Sequence, residues 1–229
     1  MAKKKAKHLK NFFVGLLVVI LTVAGLTLIF NEQIKTFIVN RMTTTALNQP
    51  IKKQQSTKKG NFDYDSVKTV DTKDVVNAAT SDASDSIGKI AIPKVGIRLP
   101  IFYGLSQNNL MRGAGTMKQD EQMGETGNYA LAGHHMENEK ILFGPLENIQ
   151  KGDKIYVTNG QNVYTYKVTQ KVIVNQTQVQ WLDNVPNQKL ITLVTCSSGQ
   201  EGVQTRIIVR GELVATQNAT KKSLKVFNE

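Results

Sequence analysis

The residues able to do covalent chemistry are few. Cys196, the only cysteine in the chain, ends the apolar, β-branched run ITLVTC and is followed by the polar, glycine-ended SSG. A free thiol has a pKa of about 8.5, so at neutral pH only a few per cent of it is the nucleophilic thiolate. A base beside it must supply the thiolate, and imidazole is the usual one. Two of the three histidines, His134 and His135, close a second apolar run, NYALAGHH, while His8 lies in a lysine-rich N-terminus. Should both runs be strands lying near one another, thiol and imidazole share one rim. Successive side chains of a strand face opposite sides, so only one of the two histidines can face Cys196. The spacing leaves open which one.

Acyl transfer also needs positive charge or hydrogen-bond donors where the oxyanion forms. Arg206 follows Cys196 by ten residues and opens the run RIIVRG. A short return to a neighbouring antiparallel strand brings it back to the rim of the thiol. Arg210 lies on the same face but roughly 13 Å further along a strand, which makes Arg206 the better candidate. The plain alternatives are an inert, buried cysteine and a surface arginine. Zinc is disfavoured, because adjacent histidines are poor co-ligands and one cysteine cannot build a Cys₂His₂ set.

The elements that must position these groups are short strands. IGKIAIPKVGIRLPIF reads as two strands broken at Pro93 and Gly96, and a hairpin is signalled at Asn159-Gly160. QKLITLVTC and TRIIVRGELV are two more strands. Short strands at near-regular spacing without a long helical period predict a mainly β domain over 87–215, an antiparallel barrel or sandwich with short helices. The last residues, 216–229, read as a frayed basic tail.

Ahead of that domain, Phe12 to Phe30 is nineteen residues without a charge, long enough as a helix to span ~28 Å at ~1.5 Å per residue. Five lysines precede it, within residues 1–11. The excess of basic residues before the span predicts a cytoplasmic N-terminus and an extracellular domain. A cleaved signal peptide fits less well, since no small-x-small site follows. Residues 31–86, after a short helical continuation to about Leu47, are polar and read as a solvated tether. Of the formal net charge of +11, residues 1–41 hold +6. The basic excess thus belongs to the membrane flank more than to a folded face, which argues against nucleic acid as a partner.

The motif TLVTC, followed ten residues later by RIIV and preceded some sixty residues upstream by ALAGHH, resembles the sortases, cysteine transpeptidases of Gram-positive bacteria. Thr192, Leu193, Thr195, Cys196 and Arg206 match the family's T-L-x-T-C and downstream Arg. The resemblance covers about residues 87–214 and implies an eight-stranded sortase-type β-barrel behind one transmembrane helix and a tether. It implies Cys196 as nucleophile, His134 (the histidine directly after Ala-Gly) as general acid/base, and Arg206 as the oxyanion and orienting group. Thr195 and His135 fall to supporting places, and Ala132, Val194 and Met117 to the peptide groove. The implied substrates are surface-protein precursors with an L-P-x-T-G type signal, and the acceptor is an amine of the peptidoglycan precursor lipid II.

An N-terminal anchor and the absence of an Asp-Pro lid motif resemble the class A, housekeeping type. The stretch Gln176 to Gln188 corresponds to the family's peptide-covering loop. Some class A members bind calcium. The candidates here are Asp120, Glu121, Glu125 and Asp183, but MKQDEQMGETG is a thin set for an ion that wants six to eight oxygens. Exposed loop charge is the preferred reading, and no cofactor is expected. Two further functions remain for the same residues: an exported peptidase that opens its thioester with water, or a tethered binding module in which Cys196 is incidental.

Overall fold

The structure, a computed structural model, describes residues 2–52, 60–64, 67, 70–82 and 84–228. The chain divides into two units, Met1–Phe37 and Ile38–Glu229. In the first, helix α1 (Ala2–Ile29) carries the apolar stretch. Among the described residues its segment Asn11–Ile29 is the one helix long and apolar enough to cross a membrane. Phe12, Leu21 and Leu28 stand exposed on it, as side chains suited to lipid rather than to a protein core. Helix α2 (Asn31–Leu47) follows.

In the second unit eight strands close into a barrel in the order β1-β2-β3-β4-β7-β8-β6-β5. The strands are β1 (Gly88–Ile92), β2 (Ile97–Phe102), β3 (Ala114–Thr116), β4 (Gly127–Ala132), β5 (Lys154–Thr158), β6 (Asn162–Asn175), β7 (Lys189–Cys196) and β8 (Thr205–Asn218). Pro93–Val95 forms a turn between β1 and β2, and Gly96 completes it at φ 74°, a left-handed conformation that a residue without Cβ adopts freely. Gly160, at φ 85°, does the same between β5 and β6. Ile90, Leu131, Ile191, Leu193, Ile207 and Val209, each buried, alternate along their strands and fill the interior.

The barrel is not wholly antiparallel: β2 pairs with β3, and β4 with β7, in parallel. The β5–β6 hairpin leaves β4 for the far side of the barrel, where β5 pairs with β1 and β6 with β8. Strand β7 then returns beside β4 in the same direction. That parallel pair carries both candidate groups of the site at its C-terminal ends.

Two polar segments differ from their sequence expectation. Within the tether, Val39, Val75 and Ala78 are buried in the main core. Helix α3 (Thr72–Thr80) forms there because Asp71 and Asp74 make a reciprocal capping box, each carboxylate accepting from the other's backbone N–H. Arg112, itself buried, donates to Ser81 O at 2.9 Å and to Ala78 O at the C-terminus of α3, where cations are favoured. Composition hid this because three small apolar residues on polar helices are enough to dock them. The C-terminal tail is also docked: β8 extends to Asn218, and Phe227 is buried against Ala91 and Val163, with Arg98 Nε donating to Val226 O at 3.3 Å.

A form of the protein beginning at Ser86 is therefore expected to be less stable than one beginning at Ile38. Losing the burial of Val39 and Val75 costs about 3–6 kcal/mol before the entropy of ordering is offset, which corresponds to a fall in Tm of about 10 °C. Thermal unfolding of the two forms checks this; equal Tm values would mean that the tether contacts contribute nothing.

Candidate active site

The side of the barrel formed by β4, β7 and β8 gathers the candidate residues. Cys196 ends β7, half-buried and without a disulfide. It pairs directly with Arg206 at the start of β8, and residues directly opposite in an antiparallel pair project to the same face. On the other flank Ala132 pairs with Val194 in the parallel register. Gly133 N donates to Val194 O at 3.1 Å, so the chain stays beside β7 past the end of β4 and brings His134 level with Cys196.

The two histidines are both buried but held differently. His134 accepts Phe143 N on its carbonyl at 3.0 Å, and its ring Nε2 has no hydrogen-bond partner among the described residues. Burial pushes its imidazole down to about 4, so the ring is uncharged at neutral pH. His135 bonds through Nδ1 to Cys196 O at 2.8 Å, tying the loop after β4 to the end of β7. Thr195 points to the opposite side from Cys196 and is buried, its hydroxyl without a hydrogen-bond partner among the described residues.

Arg206 is fixed on three sides. Its Nη1 donates to Val203 O at 2.8 Å and Thr205 O at 3.1 Å, and its Nη2 donates to Gln176 Oε1 at 2.8 Å. Arg210, four residues on, is engaged elsewhere: it donates to Trp181 O at 2.5 Å and lies over the Trp181 ring, 4.7 Å from its centroid. It thereby pins the connection between β6 and β7. Asn128 and Lys118 hold the same connection, Asn128 Nδ2 donating to Trp181 O at 2.9 Å and Lys118 Nζ to Leu182 O at 2.9 Å.

Ala132 and Met117 belong to one small apolar cluster with Leu182, and Val194 packs against it. A cleft of about 200 Å³ opens beside this cluster, with Met117, Val194, Leu182, Ile208 and Arg206 in its wall. A larger hollow of about 610 Å³ lies between the loop before β4 and the β5–β6 turn, but it holds none of Cys196, His134 or Arg206. Gln176, Trp181 and Leu182 in the wall of the small cleft lie within the Gln176 to Gln188 stretch that the resemblance placed over the peptide, whereas sequence reasoning missed Ile208, and Tyr64 and Val67 from the segment before the barrel. Tyr64 donates its hydroxyl to Met117 O at 2.9 Å, and Val67 packs on the apolar cluster. The available signal was isolated large residues in an otherwise polar run, NFDYDSV.

The four weak calcium candidates are not alike. Asp120, Glu125 and Asp183 are exposed, but the side chain of Glu121 is only 5% exposed, which corrects its reading as exposed loop charge. Its carboxylate accepts from Ala130 N at 2.6 Å and Lys118 N at 3.0 Å, with the Lys118 ammonium 3.6 Å away. It closes the loop before β4 instead of facing solvent. Burial nonetheless pushes the carboxyl up to about 7, against those three donors.

The sign of the pH effect follows. Between about 4.5 and about 7 the folded chain keeps a proton on Glu121 that the unfolded chain releases, so raising the pH through that window favours unfolding. Denaturant unfolding at pH 5 and pH 7.5 is expected to show stability falling by up to about 3 kcal/mol. The fall is read as the difference between the parent and Glu121→Gln; the same pH dependence in both would exclude Glu121 as its source.

Comparison with known proteins agrees with this architecture. A family model described as the sortase domain matches residues 90–214. Sortase A of Streptococcus agalactiae is 39% identical over 239 residues, covering 99% of this chain and 96% of the relative. Sortase A of Listeria monocytogenes is 39% identical over 209 residues, covering 89% and 93%. A solved structure of Listeria monocytogenes sortase A superposes with a TM-score of 0.61 at 43% identity, over 65% of this chain and 99% of that one. With a cysteine-bearing strand end on a closed eight-stranded barrel, the chain belongs to the sortase family, cysteine transpeptidases of the cell wall, and the two relatives above are both sortases A.

Proposed function

We propose that this transpeptidase cleaves an L-P-x-T-G type signal between Thr and Gly and joins the Thr carbonyl to an amine of lipid II. The observation that carries the assignment of roles is the shared rim of Cys196, Arg206 and His134, one residue from each of three adjoining chain segments. The apolar cleft next to Arg206 suits the Leu and Pro of an extended peptide. Neutral His134 takes the thiol proton as Cys196 Sγ attacks the Thr carbonyl carbon. The oxyanion that forms is stabilised by the Arg206 guanidinium. As the C–N bond breaks, His134 passes its proton to the departing Gly amine, leaving a Thr thioester on Cys196.

An incoming amine then attacks the thioester. His134 accepts a proton from it, the new peptide bond forms and the Cys196 thiolate leaves, to be reprotonated. Each turnover exchanges one amide for another and needs no oxidant or energy source. A ring that is uncharged at rest makes the thiolate–imidazolium pair a minority form, assembled as the peptide binds. In this proposal helix α1 anchors the enzyme with its lysine-rich end in the cytoplasm and the barrel outside.

The deciding experiment mixes the protein with an L-P-x-T-G peptide, with and without a short glycine or alanine peptide as amine, and reads masses. A ligated Thr-amine product that Cys196→Ala cannot form supports transpeptidation of this signal. Cleavage without ligation under every amine would assign a peptidase, and no acyl-enzyme mass at all would remove the signal as substrate. Glu121 already has its oxygens engaged by backbone and lysine donors. Added calcium is expected to change the ligation rate by less than about twofold, since the acidic set offers too few free oxygens; a larger stimulation would reinstate a calcium site.

A further inference from the structure

The loop that follows His134 holds a group of side chains that the reaction does not use. His135, Glu139 and Glu147 each present one ligand atom, and these atoms all lie within 4.8 Å of one another. His135 is 6% exposed, while both glutamates are exposed. The loop is folded back on itself for local reasons. His135 bridges Leu142, Phe143 N donates to His134 O, and the chain at Glu139 lies so close to Gly144 that a Cβ there would meet Glu139 O at 2.5 Å. Only glycine at 144 allows this approach. It sets Glu139 beside the Gly144–Asn148 turn, which carries Glu147.

The hydrogen bond of His135 decides which of its nitrogens is available. A carbonyl oxygen can only accept, so Nδ1, 2.8 Å from Cys196 O, carries the proton. In the neutral ring Nε2 then holds a bare lone pair. That atom is buried and has no hydrogen-bond partner among the described residues, which is costly for a polar atom without a ligand. A ring that donates through one nitrogen to a backbone carbonyl and offers the other outward is the usual arrangement of a metal-ligating histidine. The Lys171 ammonium is held on the backbone carbonyl of Glu147.

We propose that His135 Nε2 and the carboxylates of Glu139 and Glu147 form a binding site for a divalent transition-metal ion. One imidazole and two carboxylates favour the manganese-to-zinc series over calcium or magnesium, which take oxygen ligands almost alone. Three protein ligands leave the remaining positions to water. Exposed glutamate side chains can close from a 4.8 Å spread onto one ion by rotamer changes alone. A bound ion fixes the His135 ring, and through Nδ1–H it fixes the carbonyl of Cys196 at the end of β7.

The test uses the full-length chain in detergent, carrying Cys196→Ala so that the thiol cannot ligate, and freed of metal by a chelating resin. Cobalt(II) is titrated and followed by its visible absorption, with Tm recorded alongside. The expected result is saturable binding of one ion per chain that raises Tm. Glu139→Gln/Glu147→Gln in the same background is expected to weaken binding by at least about tenfold and to lose the Tm rise. Without metal, that double variant should keep the parent's Tm and circular dichroism, which shows that it is folded. No saturable binding below about millimolar cobalt, or binding unchanged in the double variant, overturns the proposal. The readout does not depend on the peptide substrate, so failure here leaves the proposed function standing.

Discussion

His134→Gln is expected to lower kcat by three to four orders of magnitude while leaving the barrel folded. General acid–base catalysis is worth about 10²–10⁴-fold, and here one ring serves two proton transfers in each half-reaction. His134 is buried on the chain level with Cys196, and its ring Nε2 is free of other partners. Gln keeps the size and polarity of the ring but cannot hold the proton. Cys196→Ala is expected to abolish the acyl-enzyme altogether, because Cys196 carries the only thiol of the chain. Single-turnover kinetics with the signal peptide separates the two: the His134 variant should accumulate the thioester slowly, the Cys196 variant not at all. A His134→Gln enzyme within about tenfold of the parent would remove this residue from the mechanism. His135, whose ring is committed to the Cys196 carbonyl, would then be re-examined.

Arg206→Ala is expected to cost about 10²–10³-fold in kcat/KM, the usual effect of removing one oxyanion donor. The effect should fall mostly on kcat, since an interaction made in the transition state shows there. Arg206→Lys should recover less than about tenfold of the loss. The guanidinium reaches Val203 O, Thr205 O and Gln176 Oε1 at once through a planar fork, and a single ammonium cannot reproduce that geometry. Gln176→Ala releases only one of these contacts and should cost a few-fold at most. Arg210→Ala provides the contrast. It frees Trp181 and the β6–β7 connection, so it should raise KM more than it lowers kcat. Steady-state kinetics on the four variants distinguishes these patterns. Loss of kcat in Arg210→Ala equal to that in Arg206→Ala would mean that the cross-strand partner of Cys196 has been misassigned.

Much of the site could be read from the chain because its residues lie at strand ends. A β-branched run that stops at Cys196, and an apolar run that ends just before His134, place both groups at the rim of any barrel built from them. The nine residues between Cys196 and Arg206 fit one short return, and the ladder pairs them directly. The apolar helix and its lysine flank are equally local properties, fixed by composition over a window longer than any turn.

What depended on distant partners was out of reach. Periodicity gives the same pattern for parallel and antiparallel neighbours, so the β4–β7 parallel pair, which sets His134 beside Cys196, had to come from the tertiary structure. Glu121 reads as solvated charge until Ala130 N and Lys118 N are seen to close on it. Val39, Val75 and Phe227 sit in polar surroundings along the sequence, and only docking against the barrel buries them. The sequence by itself determined which residue types could do the chemistry, one cysteine, a pair of histidines and a downstream arginine, and that a stretch long and apolar enough to cross a membrane precedes them, because residue type and local period suffice for both. The tertiary structure alone decided which histidine rests on the Cys196 carbonyl, what holds Arg206 and where the tether docks, because those depend on contacts between segments tens of residues apart.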